Sequence, residues 1–161
     1  MIVKGINYED FLQYKKVSAF IICPFCDFKC DIEAGEQICQ NSSLAKAETF
    51  DVKTETIIKN YLDNPISKSI VFGGLEPLTD KTFVEILHFI SLLRNKYNCQ
   101  DDVVIYTGYY KEEVMDKIEE LKKYDNIIVK FGRFIPNQES HYDKTLGVQL
   151  ISNNQYAEKI S

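Results

Sequence analysis

Val17-Ser-Ala-Phe-Ile-Ile-Cys23-Pro-Phe-Cys26-Asp-Phe-Lys-Cys30 is the stretch on which the reading of this chain turns. Its first seven residues form an apolar run of the length of a buried strand. From Cys23 the run gives way to a polar, cysteine-bearing loop that continues through Cys39 to Asn41. A buried strand that empties into such a loop delivers several thiols to one end of a sheet.

The sequence on either side predicts what kind of sheet this is. Residues 53–62 carry Ile57, Ile58, Tyr61 and Leu62 on one helical face, with Asp51 upstream as a cap. Residues 69–72 read as a short apolar strand running into Gly73-Gly74. Residues 80–97 read as the clearest helix, with Phe83, Ile86, Leu87, Ile90 and Leu93 at helical spacing and Thr79 or Asp80 as its cap. A strand over 103–106 ends at Thr107-Gly108. An amphipathic helix over 112–123 turns Val114, Ile118 and Leu121 inward, and a further strand covers 126–131. An irregular stretch then leads to a short apolar run at 148–151. Strands alternating with helices predict an α/β fold with an open, mainly parallel sheet. Ligands of such sheets lie beyond the carboxyl ends of the strands. The cysteine loop, Gly73-Gly74 and Thr107-Gly108 all fall there.

Composition narrows the function. The 161 residues predict one domain over 1–161, with the cysteine loop at 23–41. Sequence-independent nucleic-acid binding needs a basic surface and is not favoured by a net charge of -5. No run approaches the ~18 apolar residues of a membrane span, and the first ten residues lack the pattern of a secretory signal. Four of the five cysteines lie within residues 23–39, and Cys99 stands apart. An odd, clustered set argues for a reducing, cytoplasmic setting and a metal or redox site, and against a disulfide framework. Thiolates suit iron–sulfur clusters and zinc alike, and spacing does not separate them. A zinc-stabilised binding module without catalysis therefore stays open beside an iron–sulfur protein. His88, His141 and Cys99 read as ordinary side chains, and Glu112, Glu113, Glu119 and Glu120 as helix-surface charges.

Cys26-x3-Cys30 followed by Cys39-Gln-Asn41 resembles the cluster loop of radical S-adenosylmethionine enzymes, in particular the activating proteins of anaerobic (class III) ribonucleotide reductases. Their pattern is Cys-x3-Cys-x2-Cys, then one residue and an Asn. Here the second gap is eight residues. The resemblance implies that Cys26, Cys30 and Cys39 hold a [4Fe-4S] cluster. Cys23, Cys26 and Cys30, with the two gaps reversed, are the alternative set. Three thiolates leave one iron open to S-adenosylmethionine. Val71-Phe-Gly-Gly-Leu-Glu-Pro-Leu78 resembles the family's Gly-Gly-Glu-Pro motif, with Leu75 inserted. It implies that Gly73, Gly74 and Glu76 lie at the cofactor's methionine amino group. By the same resemblance Asn41 and Thr107 join the cofactor site. Gly132-Arg133-Phe134 and Ser152-Asn-Asn-Gln155 resemble closing segments of the activating proteins, although Lys130 and Phe131 depart from the first.

The resemblance further implies a partial (β/α) barrel and a radical S-adenosylmethionine oxidoreductase that generates a glycyl radical on an anaerobic ribonucleotide reductase. An electron donor such as flavodoxin or ferredoxin would supply the reducing electron. Tyr109 and residues 132–155 are the expected docking surface, with the chain after Phe134 ordering only when the partner binds. A radical enzyme acting on a small molecule is the alternative within the same chemistry.

Overall fold

Short, continuous apolar strands set the architecture. A computed structural model describes residues 1–161. The strands are β1 (Ile2–Val3), β2 (Gly5–Asp10), β3 (Ser18–Ile22), β4 (Phe50–Asp51), β5 (Ser69–Gly73), β6 (Asp102–Tyr106), β7 (Ile127–Phe131), β8 (His141–Asp143), β9 (Val148–Leu150) and β10 (Tyr156–Lys159). The helices are α1 (Lys29–Ala34), α2 (Ser42–Ala45), α3 (Thr54–Asp63), α4 (Asp80–Ser91) and α5 (Met115–Leu121). Six strands form one sheet in the order β10-β7-β6-β5-β3-β2. The inner neighbours β3, β5, β6 and β7 pair in parallel, while β2 and β10 close the two edges antiparallel.

The sheet is therefore mixed where the apolar pattern predicts a mainly parallel one, and it stays open without closing into a barrel. The edge strands escape the sequence reading because their residues (Gly-Ile-Asn-Tyr-Glu-Asp and Tyr-Ala-Glu-Lys) are polar, as edges facing water require.

Alternation sends one set of side chains to each face. Ala19, Ile21, Ile70, Phe72, Val103, Ile105, Ile127, Val129 and Phe131 join the large core with Ile57, Ile58 and Tyr61 of α3, Ile86, Phe89 and Ile90 of α4, and Ile118 and Leu121 of α5. Val71, Val104 and Ile128 face the other way, beneath Tyr14, Leu146 and Leu150. The chain after Phe134 packs on this second face, where β8 and β9 make a hairpin that covers it. Lys15 N–H donates to the Leu146 carbonyl at 2.7 Å, tying the two covering segments together.

Several local expectations shift. The predicted helix over 80–97 is α4 followed by a wider π-turn at Leu92–Lys96, which turns Arg94 inward. The predicted helix over 112–123 breaks at Val114 into a 3-10 turn (Lys111–Glu113) and α5. Asp51 does not cap α3; it meets the Met1 amino group at 3.4 Å. Thr79 occupies the position before α4, but its hydroxyl bonds the Thr82 hydroxyl rather than a backbone N–H. His141 is half-buried and His88 exposed. No helix is long and apolar enough to cross a membrane.

Candidate metal centre

The carboxyl ends of β3, β5, β6 and β7 open into a cavity of about 500 Å³. Cys26, Cys30, Cys39, Asn41, Gly74, Glu76 and Thr107 all line it, so residues distant in sequence meet at one place. Gly73, the last residue of β5, does not line it. Cys23 does not line the cavity; it is fully buried in the helical core, and its N–H donates to the Gly73 carbonyl at 2.9 Å. Cys99 lies at the opposite end of the sheet, beside Arg94, whose Nη1 donates to its carbonyl.

Local chemistry explains how the loop presents three thiols. Phe28 adopts φ 52°, a left-handed conformation that a side chain makes unfavourable by ~1–2 kcal/mol. That kink reverses the chain between Cys26 and α1, which carries Cys30. The long gap to Cys39 is closed by Asp31. Its Oδ1 accepts from the Ile38 N–H at 2.9 Å and from the Cys39 N–H at 2.7 Å. The eight intervening residues thus fold back, and the Cys39 thiol adjoins that of Cys30. Asn41 stands just before α2 but makes no capping bond with its side chain, which is exposed.

Burial pushes the Cys26 thiol up to about 12, partly offset by the Phe28 N–H donated to its sulfur. Burial, then the neighbouring Cys39, raises Cys30 to about 12 as well. Both thiols keep their protons near neutrality, so binding a metal centre releases protons here. Complete burial raises the Cys23 thiol as well.

The two glycines have reasons of their own. Gly74 has φ 77°, and a Cβ on it would lie 2.8 Å from Ile22 Cγ2. A Cβ on Gly73 would approach Tyr106 Cβ at 3.0 Å. Both are required by close chain packing before any ligand is considered. Glu76 is buried, and its carboxylate is already engaged: Oε1 accepts from Thr107 Oγ1 (2.6 Å) and the Leu78 N–H (2.9 Å), Oε2 from the Gly108 N–H (2.8 Å). Burial raises its pKa against these bonds. Thr107 also accepts from the Tyr109 N–H. In this arrangement Glu76 and Thr107 organise the strand ends. Glu76 N–H reaches the Phe25 carbonyl at 2.8 Å and so docks the cysteine loop on the strand end.

Four groups escape the sequence reading. Asp31 is one. Tyr109, expected on a docking surface, is buried, and its hydroxyl donates to Asp27 at 2.7 Å. Glu113, read as a surface charge, takes both Nη atoms of buried Arg133 at 2.7 Å each. Lys130 is buried on the cavity wall with no carboxylate within 4 Å; its Nζ donates to the Gly132 carbonyl at 2.7 Å. Burial lowers its pKa to about 8.

No three His, Cys, Asp or Glu side chains are grouped closely enough to hold a metal ion, so Cys26, Cys30 and Cys39 share the cavity without their sulfurs meeting at one point. A cluster takes its thiolates at separate iron corners, and three half-buried thiols around one cavity fit that demand. The family model described as "4Fe-4S single cluster domain" matches residues 16–156. The chain belongs to the 4Fe-4S single-cluster family. The match begins just before β3 and runs through the start of β10, so the cysteine loop and the sheet that carries it both lie within it. Membership in this iron–sulfur family weighs against the zinc-module reading. No curated protein and no solved structure matches the chain.

Proposed function

We propose that this iron–sulfur protein is a radical S-adenosylmethionine enzyme of the kind that activates an anaerobic ribonucleotide reductase. The observation that carries the reading is the grouping of three thiols, Cys26, Cys30 and Cys39, on one cavity while Cys23 stays in the core. Three thiolates on a four-iron cluster leave one iron for a small-molecule ligand. The bound cluster would supply one electron to the sulfonium of S-adenosylmethionine, releasing methionine and a 5′-deoxyadenosyl radical.

The chain's own residues would do the rest. Gly74 would bring backbone to the cavity wall, while Gly73 lets the end of β5 pack closely on Tyr106 beside it. Glu76 and Thr107 hold the ends of β5 and β6 in register with the loop. The hairpin of β8 and β9 covers the face behind, so that Leu150 adds an apolar side chain to the cavity lining. The mouth is rimmed by exposed Leu12 and Ile151, apolar residues suited to a partner's inserted loop.

The test is anaerobic reconstitution with iron and sulfide, then cofactor and reductant. Methionine and 5′-deoxyadenosine should appear in equal amounts. With a cognate reductase present, electron paramagnetic resonance should show a doublet that disappears when the partner's glycine is replaced. Absence of cofactor cleavage by fully loaded protein overturns the proposal. One observation favours a second reading, action on a small molecule: Lys130 places a buried, carboxylate-free amine on the cavity wall, suited to an anionic ligand. Cofactor cleavage without a protein radical, stimulated by an added carboxylate-bearing compound, is the result that would select it.

A further inference from the structure

Cys30 sits on a helix too short to hold itself in place. An isolated helix needs ~12–15 residues to be even marginal in water, and α1 has six, none of them buried. Something outside α1 must fix it. Lys29 and Glu33 lie four residues apart on α1 and therefore share one face. Lys29 Nζ bonds Glu113 Oε1 at 3.0 Å, and Glu33 Oε1 lies 3.2 Å from Arg133 Nε. Glu113 and Arg133 are joined by the paired 2.7 Å bonds described above. The four side chains close a ring of alternating charge, with one turn of α1 as one side.

The ring has a firm half and a loose half. Arg133 is 2% exposed and stacks on the Tyr110 ring at 4.5 Å. Glu113 also accepts from the Tyr110 N–H at 2.8 Å. Arg133 is seated from behind, because Asn154 Nδ2 donates to its carbonyl at 3.0 Å. Gly132, at φ 98°, leaves no room for a Cβ beside the Asn154 carbonyl, 2.9 Å away. Lys29 and Glu33 are 40% and 54% exposed. Exposed pairs alone hold little; these are held because their partners are already immobile.

We infer that Lys29, Glu33, Glu113 and Arg133 form a positioning ring that holds Cys30 against the cavity, and that the Ser152–Gln155 segment serves it by seating Arg133. Because Lys29 and Glu33 occupy one face, Cys30, about 100° further round the helix, is turned away from the ring and onto the cavity wall. The long insertion before Cys39 leaves α1 without a short covalent tether on that side, and the ring replaces it. The functional weight of this inference rests on the proposed ligand set, in which Cys30 is a ligand.

Pulse alkylation of the full chain with iodoacetamide, read cysteine by cysteine by mass spectrometry before and after reconstitution, tests it. Arg133→Met and Glu113→Gln should raise the Cys30 rate about tenfold, equivalent to ~1.4 kcal/mol of opening free energy, with the Cys99 rate unchanged. Arg133→Lys should fall between, since an ammonium cannot fork. Lys29→Met and Glu33→Gln lie on the exposed helix surface and leave folding intact. They should raise the rate about threefold and abolish its increase with salt, which screens the exposed half of the ring in the wild type. Reconstituted variants should lose iron faster to a chelator. An unchanged Cys30 rate in all variants, or Cys30 and Cys99 rising together, overturns the ring. Full iron retention by Cys30→Ala would instead remove Cys30 from the ligand set while leaving the alkylation result to judge the ring.

Discussion

The chain has only two arginines among its nineteen basic residues, and they hold opposite ends of the same sheet. At the amino ends of the strands, Arg94 donates to the carbonyls of Asp125, Cys99 and Asp101 at 2.6–3.1 Å. Around it, Tyr61 bonds Asp101 at 2.6 Å and Ser18 bonds Ser69 at 2.7 Å. Every one of these groups finds its partner inside the chain. At the carboxyl ends, both Nη atoms of Arg133 are bonded to Glu113, but its Nε has only an ion-pair contact with Glu33 and no hydrogen bond, and the groups around it are not so closed. Two thiols are pushed up to about 12, Glu76 is buried without a cation within 4 Å, and Lys130 is buried without a carboxylate. Buried polarity is common to both ends. What differs is whether the partner is present in the chain, and an end whose charges lack partners is the end that takes a ligand.

The largest expected effect separates the four clustered cysteines. Cys26→Ala, Cys30→Ala and Cys39→Ala should each reduce iron after anaerobic reconstitution from about four per chain to below one. Cys23→Ala should keep its iron and lose only about 1 kcal/mol of stability, the scale of a small core truncation. Iron analysis and the brown cluster absorbance are the measurements. Loss of iron in Cys23→Ala with retention in Cys39→Ala would exchange the two residues' roles.

The amino end should respond in the opposite way. Arg94→Met removes a charged fork from three carbonyls and should cost ~3 kcal/mol in urea unfolding, with iron content after reconstitution unchanged. If iron falls while the unfolding midpoint holds, the division between a structural and a functional end fails.

The sequence made the central strands and two of the helices legible, because buried parallel strands are continuous apolar runs and α3 and α4 repeat at helical spacing. It also brought the cysteine loop, Gly73-Gly74 and Thr107-Gly108 to one end by topology alone. The edge strands were hidden by their polarity, and the β8–β9 hairpin by its brevity, three residues a side. Asp31 was hidden because its work is local backbone bonding, which leaves no periodic trace. Glu113 looked like one of four surface glutamates, since nothing in sequence reveals a partner twenty residues on. The scarcity of arginine was the available signal: a chain that otherwise uses lysine has placed its two forked cations where several acceptors must be held at once.

The smallest effect, and the sharpest test of the contrast between the two ends, lies in Lys130. Its pKa falls from 10.5 to about 8 because burial disfavours the ammonium, and only the distant Glu76 opposes this. Between pH 8 and 10.5 the unfolded chain holds a proton on this residue that the folded chain does not. Stability therefore rises with pH through that window, and below it the full cost of burying the charge is present. At about 1.36 kcal/mol per unit the cost is at most roughly 3 kcal/mol. Lys130→Met keeps the length, removes the charge and gives up one bond to the Gly132 carbonyl. The variant should be more stable at pH 7 by about 1–3 kcal/mol. The difference from wild type should shrink as pH climbs from 8 to 10.5, a comparison that cancels the other thiols and phenols titrating there. A lysine that destabilises its own fold is kept for something the fold does not contain, whereas Arg94, removed, should only weaken it. If Lys130→Met is less stable than wild type and the difference is flat across that window, the ammonium is already satisfied, and the carboxyl end is as closed as the amino end.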